Sequence, residues 1–286
     1  MGRVIVITGP TASGKSALAL ELASKRGLEI ISADSRQIYT GIPIVSALPS
    51  PEELASVKHH LIDMLPLDAY YSASMFEEDA LRIARHQLSE RGEVIVCGGS
   101  MMYIDAFCYG IDALPTIPDE IRHATYQEAE EKGSEWALSM LKMMDPAYYD
   151  TVDRSNMKRV IHAIEIMRAA GKSMTDLLTG EKKKREFEID FRYIDMPRDI
   201  LFKRINQRVD RMVEAGLEEE ARRVYPLRGL NSLNTVGLKE MFAYFDGQMD
   251  RTTAIERIKK NTRVYAKKQE TWHSRRLRNM GKKIER

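Results

Sequence analysis

Cysteine is scarce in this sequence: its 286 residues include two, Cys97 and Cys108, with neither CxxC spacing nor a neighbouring His cluster. That excludes a disulfide framework and a structural zinc site, and makes a reducing, cytoplasmic setting the expectation. Long apolar runs are missing too. No stretch approaches the roughly 18 residues of a membrane span, and Val4 to Thr8 is too short for a secretory signal and runs directly into glycine-rich sequence. Internal repeats and low-complexity segments are absent. With 43% hydrophobic and 30% charged residues, disorder is excluded as the main state, and the length fits one large or two ordinary domains.

A net charge of +2 conceals an asymmetry. Residues 257–286 hold twelve Lys and Arg against Glu270 and Glu285, a local +10, which leaves −8 for the preceding 256 residues. Such a tail is either a solvated helix face or a surface for a polyanion.

The first hundred residues alternate β-rich runs with amphipathic segments, the pattern of an α/β core whose mostly parallel sheet is flanked by helices. Strands are expected at Val4 to Thr8, Glu29 to Ser32, His60 to Asp63 and Glu93 to Cys97, and helices at Lys15 to Lys25 and Ser74 to Arg91. After Pro115 the β-rich runs give way to helical segments at Asp119 to Lys132, Ser134 to Met144 and Asn156 to Ala170. We read residues 116–188 as a helical insertion domain, closed by an exposed charged loop from Glu181 to Glu186, and residues 1–115 and 189–286 as one core. A strand resumes at Phe191 to Met196. A helix follows from Leu201 to Met212, and a last long helix places Ile255, Ile258, Tyr265 and Trp272 on a stripe expected to face the core.

The chemistry begins at Gly9, Pro10, Thr11, Ala12, Ser13, Gly14, Lys15 and Ser16, which fit GxxxxGK(S/T) between a strand and a helix. Glycines let successive N–H groups turn toward an anion, the helix N-terminus adds its dipole, Lys15 supplies a charge and Ser16 a hydroxyl ligand for Mg²⁺. A P-loop core is thus expected to bind a phosphorylated ligand. The strand ending at Cys97 runs into Gly98, Gly99 and Ser100, where an NTPase would carry its Walker-B carboxylate, so ATP hydrolysis is not expected. Asp34 stands just past the second strand, on the side where open α/β sheets bind ligands. It is a candidate proton acceptor, with a turn-capping Asp as the alternative.

Together with the P-loop, SADSRQIY (Ser32 to Tyr39), the run His59 to Asp63, GGSMMY (Gly98 to Tyr103), KRVIHAIEI (Lys158 to Ile166), RVDRMVEAGLEEE (Arg208 to Glu220), VGLKE (Val236 to Glu240) and TRVYAKKQETW (Thr262 to Trp272) resemble the tRNA dimethylallyltransferases, in order over residues 3 to about 275. The resemblance implies transfer of a dimethylallyl group from dimethylallyl diphosphate to the N6 amine of the adenine 3′ of the anticodon, in tRNAs reading codons that begin with U. It implies that the P-loop holds the diphosphate, with Mg²⁺ on Ser16, and that Asp34 is the general base. Ser35, Arg36 and Gln37 fall in its tRNA-contacting segment, Ser100 stands near the target base, and Arg122 matches a second tRNA contact. Lys158, Arg159, Val160, Ile161 and His162, and Thr235, Val236, Gly237, Leu238 and Lys239, match further RNA-contact stretches. Arg263 matches an arginine that reaches the diphosphate.

Five positions depart from the pattern: Leu48 for a lysine, His162 for an arginine, Leu238 for a tyrosine, Lys268 for an arginine and His273 for an apolar or aromatic residue. The resemblance further implies a bacterial type without a C-terminal zinc finger, a monomer with no membrane partner, and a target base flipped into a channel beside the insertion. Two other readings stay open from the residues alone: a small-molecule kinase of the shikimate kinase type, and a nucleotide-gated RNA-binding protein without transfer chemistry.

Overall fold

The computed structural model describes residues 2–112 and 114–279, and the side chains of residues 275–279 lie outside that description. The chain divides into one unit formed by Met1–Tyr109 with Lys184–Arg286, and a second formed by Gly110–Lys183. The second unit starts and ends several residues earlier than the expected 116–188. Gly110, at φ 76°, follows the last helix of the first segment, and Arg185 is already anchored in the first unit.

The first unit opens with β1 (Arg3–Thr8), α1 (Lys15–Arg26), β2 (Ile30–Ser32), the short helices α2 (Pro43–Ser46) and α3 (Pro51–Ser56), β3 (His59–His60), α4 (Ala73–Arg91), β4 (Glu93–Gly98) and α5 (Met101–Tyr109). The second unit consists of α6 (Asp119–Met144), α7 (Pro146–Thr151), α8 (Met157–Ala170) and α9 (Met174–Leu177). The chain then returns through β5 (Glu188–Tyr193), α10 (Arg198–Glu214), α11 (Leu217–Val224), two single 3-10 turns, α12 (Leu238–Phe245) and α13 (Arg251–Asn279).

All five strands are parallel, in the order β3-β2-β4-β1-β5. A parallel sheet covered on both faces calls for continuous apolar strands rather than alternating ones. Val4 to Ile7 and Val94 to Val96 are such runs, pair in register as Val4 with Val94 through Ile7 with Cys97, and are completely buried. This sheet matters for function because β1, β2 and β4 end at one edge, and the P-loop, Asp34 and Ser100 follow those ends. At Gly98 a Cβ would overlap the carbonyl of Ala33, so the approach of β2 to β4 excludes any side chain there. The missing carboxylate has a packing reason.

Two strands differ from expectation. β3 stops at His60 because Leu61 and Asp63 take positive φ, 59° and 45°. β5 begins at Glu188 and ends at Tyr193, three residues ahead of the expected run. It is an edge strand whose Asp190 accepts from Arg3 at 2.7 Å and from Arg192 at 2.9 Å, so charge rather than apolar alternation marks its start. The charged run from Glu181 to Glu186 is also not wholly an exposed loop. Arg185 inserts its guanidinium beside Glu77 (2.9 Å) and donates to the carbonyls of Ala106 and Phe107. It thereby satisfies carbonyls that the end of α5 leaves unpaired.

In the second unit, α6 is broken at Gly133 (φ 78°), where the sequence also separates two helices. Ala137, Leu141, Val160 and Ile164 form its fully buried core. Asp145 joins α7 to α9 by accepting from Tyr148 N at 2.8 Å and Thr175 N at 2.7 Å.

Candidate active site

The P-loop is shaped by two residues in left-handed backbone, Ala12 at φ 64° and Gly14 at φ 100°. Gly14 precedes α1 without a side-chain cap, so the first N–H groups of that helix remain available to an anion. Lys15 Nζ donates to Pro10 O at 3.1 Å across the loop. Burial holds its ammonium below the ordinary lysine range, against the opposing pull of Asp34. A lysine so placed gains a great deal from an incoming anion. Around the loop mouth lies a cavity of about 180 Å³ lined by Ala12, Gly14, Lys15, Ser16 and three arginines of α10, Arg204, Arg208 and Arg211. Among the described residues no carboxylate lines it.

Arg208 is the arginine that meets the loop, through a 2.9 Å hydrogen bond from Nη1 to Thr11 Oγ1. Burial lowers its affinity for its proton, and Asp34 opposes that shift. Arg263, the expected diphosphate arginine, instead donates to Asn206 Oδ1 of α10 at 2.5 Å and lines neither cavity. The physical reason is helical phase: Arg263 and Lys267 share a row of α13 that faces α10, where Lys267 also lies over the Phe202 ring at 5.5 Å. Arg208 carried a usable sequence signal, since Arg204, Arg208 and Arg211 recur at four- and three-residue spacing on one helix face.

A second cavity of about 450 Å³ adjoins the loop at Thr11 and Arg208. Asp34, Ser35, Arg36 and Ser100 form one wall, Asn234, Thr235, Val236 and Lys239 another, and Thr262, Tyr265 and Lys268 of α13 a third. Asp34 Oδ1 accepts from Arg36 N at 2.9 Å, a local turn, and Ser100 Oγ accepts from Ser35 N at 2.8 Å. The capping reading of Asp34 and its place in the cavity therefore hold together. Arg36 turns its guanidinium to the carbonyls of Asn231 and Ser232, both at 2.9 Å, and so braces the opposite wall. Gln37 is tied to Ser32 Oγ and Ala47 O at 2.8 Å each and does not line the cavity.

Several expected RNA-contact positions are core positions. Leu238 and Val160 are fully buried, and a Cβ at Gly237 would lie 2.6 Å from Val45 Cγ2, so none of the three presents a side chain to a ligand. Lys158, Arg159 and His162 are exposed on the first turns of α8, and Ile161 is partly buried among them. His162 pairs with the buried Glu165 at 2.9 Å. Arg122 lies half-buried on α6.

Tyr265 corrects the expected core stripe of α13: it is 38% exposed and lines the larger cavity, with burial raising its phenol to about 12. The inward face continues instead through Ile258, Ala266, Gln269 and His273. His273 is packed against Tyr193 and Trp272, and burial, with Lys15 nearby, pushes its imidazole down to about 3. Burial raises Cys97 to about 11, so it is a neutral thiol at the end of β4. Among the described residues no group of three His, Cys, Asp or Glu side chains could hold a metal ion. Ser16 alone gives a P-loop cation one oxygen, which fits Mg²⁺ only where phosphate oxygens and water complete its shell. No helix of the described residues is long and apolar enough to cross a membrane.

A family model described as IPP transferase matches residues 37–276. The chain is 50% identical over 275 residues to tRNA dimethylallyltransferase 2 of Parabacteroides distasonis, covering 96% of this chain and 92% of that protein. It is similar to the solved structure of tRNA delta(2)-isopentenylpyrophosphate transferase from Staphylococcus epidermidis, at TM-score 0.66 and 31% identity over 95% of this chain and 90% of that one. A eukaryotic dimethylallyltransferase acting on tRNA aligns at TM-score 0.80 and 25% identity over 95% of this chain and 70% of that chain.

Proposed function

This chain belongs to the IPP transferase family and is a prenyl-transferring enzyme acting on tRNA, and we propose that it moves the dimethylallyl group of dimethylallyl diphosphate to the N6 amine of the adenine 3′ of the anticodon, in tRNAs reading codons that begin with U. The observation that carries this reading is the pair of adjoining cavities with different chemistry. One is lined by Lys15, three arginines and the Ser16 hydroxyl beside the loop N–H groups; the other brings a carboxylate, Asp34, beside hydroxyls and amides.

Adenine N6 is a weak nucleophile because its lone pair is delocalised into the ring. Asp34 takes the N6 proton as nitrogen bonds to the allylic carbon and the carbon–oxygen bond to diphosphate breaks. A general base contributes a factor of roughly 10² to 10⁴. The leaving diphosphate gathers negative charge next to Lys15 and Arg208, which stabilise it where it develops. Ser16 would hold Mg²⁺, which when bound supplies further charge neutralisation to the diphosphate. Ser35, Ser100 and Thr235 would bound the flipped base, while Lys239 and Lys268 would meet RNA phosphates.

The kinase reading lacks a carboxylate to organise Mg²⁺ and phosphoryl transfer, since the β4 terminus admits no side chain at Gly98. Incubation with unmodified tRNA and labelled dimethylallyl diphosphate, followed by nucleoside analysis, tests the proposal. Label is expected in N6-dimethylallyladenosine; its absence, with tRNA still bound, would leave RNA binding without transfer.

A further inference from the structure

Helix α13 buries a polar face where an amphipathic helix ordinarily buries an apolar one. Gln269 and His273, one turn apart, are 2% and 0% exposed. The Gln269 amide spans two loops: Oε1 accepts from Thr11 N at 2.8 Å, and Nε2 donates to Gly99 O at 2.9 Å. His273 Nε2 lies 3.1 Å from Thr8 Oγ1, at the end of β1. Both ends of the segment Thr8 to Thr11 are therefore held by one helix.

The bond to Thr11 N has a consequence beyond packing. Thr11 N–H and Pro10 C=O belong to one planar peptide unit, so the bond that orients one orients the other. Pro10 O is the acceptor for Lys15 Nζ at 3.1 Å and for Ser13 N at 3.2 Å. Gln269 thus acts on the P-loop ammonium through a single peptide plane, while Arg208 holds the same residue by its hydroxyl. The turn of α13 just before Gln269 carries Tyr265 and Lys268 into the acceptor cavity.

We propose that Gln269 is a positioning residue of the transfer reaction: it sets the Pro10–Thr11 peptide plane, and through it Lys15, so that the diphosphate loop is pre-formed by the helix that also walls the acceptor cavity. This rests on the reading that the loop holds dimethylallyl diphosphate. A preformed loop binds its ligand without first spending binding energy on reorganisation.

Two variants attack the same amide from opposite sides. Gln269→Met matches the side chain in length and removes both polar ends. In Gly99→Ala the new Cβ would sit 2.6 Å from Gln269 Nε2 and an ordinary 3.5 Å from Lys15 Nζ, displacing the amide without altering α13. Dimethylallyl diphosphate affinity by calorimetry, tRNA affinity by gel shift, melting temperature and single-turnover transfer are measured for the parent, each single variant and the double. Each single variant is expected to weaken diphosphate binding about ten-fold or more, leave tRNA affinity within about two-fold, and add nothing to the other in the double. Diphosphate affinity within about two-fold of the parent, equal losses for tRNA, or additive losses in the double would overturn the proposal. If Gln269→Met does not fold, Gly99→Ala alone decides by the same diphosphate and tRNA readouts. A parent that binds the diphosphate but transfers nothing to tRNA would refute the functional reading while leaving the loop measurement intact.

Discussion

The two cavities of the first unit share Arg208 and differ in what else surrounds them. The P-loop mouth is lined by Lys15, Arg204, Arg208 and Arg211 and, among the described residues, by no acid; in the neighbouring cavity Asp34 and Glu240 stand among hydroxyls, amides and basic side chains. The division separates two electrostatic tasks. On the proposed reading the cations would meet the leaving group as it becomes more negative, and the carboxylate would meet the nucleophile as it loses a proton.

The comparison breaks most completely at Asp34. Asp34→Ala should lower the single-turnover transfer rate by roughly 10² to 10⁴ while dimethylallyl diphosphate and tRNA still bind. An unchanged rate would move proton removal elsewhere.

On the cationic side, Arg208→Ala should weaken dimethylallyl diphosphate binding and slow transfer, by roughly ten- to a hundred-fold, because a charge-assisted contact to the diphosphate is lost. Arg263→Ala should cost only a few-fold, through its bond to Asn206 on α10. The reverse ranking in calorimetric titrations would return Arg263 to the diphosphate.

Tyr265 sharpens the other side. Its ring lines the acceptor cavity, and stacking of a base on an aromatic side chain is worth roughly 1–3 kcal/mol. Tyr265→Ala should reduce kcat/KM for tRNA about ten-fold with diphosphate affinity retained, and Tyr265→Phe should restore it. Failure of phenylalanine to rescue would show that the hydroxyl, not the ring, is used.

The smallest effect is expected at His273, which touches neither cavity. Its imidazole is depressed from 6.5 in the unfolded chain to about 3 in the fold. The fold binds the neutral form, so its contribution is complete above pH 6.5 and is lost as pH falls from there toward 3. His273→Phe should flatten the pH dependence of the melting temperature across that window. An unchanged slope would assign acid sensitivity to other groups. The basic tail read from the sequence, including Arg275, Arg276, Arg278, Lys282 and Lys283, lies outside the described side chains.

What the sequence by itself determined is what depends on neighbours in the chain. The P-loop is eight consecutive residues whose glycines and following helix are local properties, and the buried runs of β1 and β4 show their two-sided burial in composition alone. Asp34 could be placed because a strand end sets its direction. Tertiary structure decided the partners. Which arginine meets Thr11 depends on the phase of α10 against α13, which put Arg208 on the loop and turned Arg263 away. Arg185 left its charged run because the carbonyls of α5 and Glu77 needed a cation, a demand set by residues about 80 to 110 positions earlier. Tyr265 left its expected place on the core stripe for a related reason, with Gln269 and His273 on the buried face. Helical spacing says which residues share a face, but only the surface that the helix meets decides which face is wet; here that surface is a polar loop, and it takes an amide and an imidazole where apolar periodicity predicts a tyrosine.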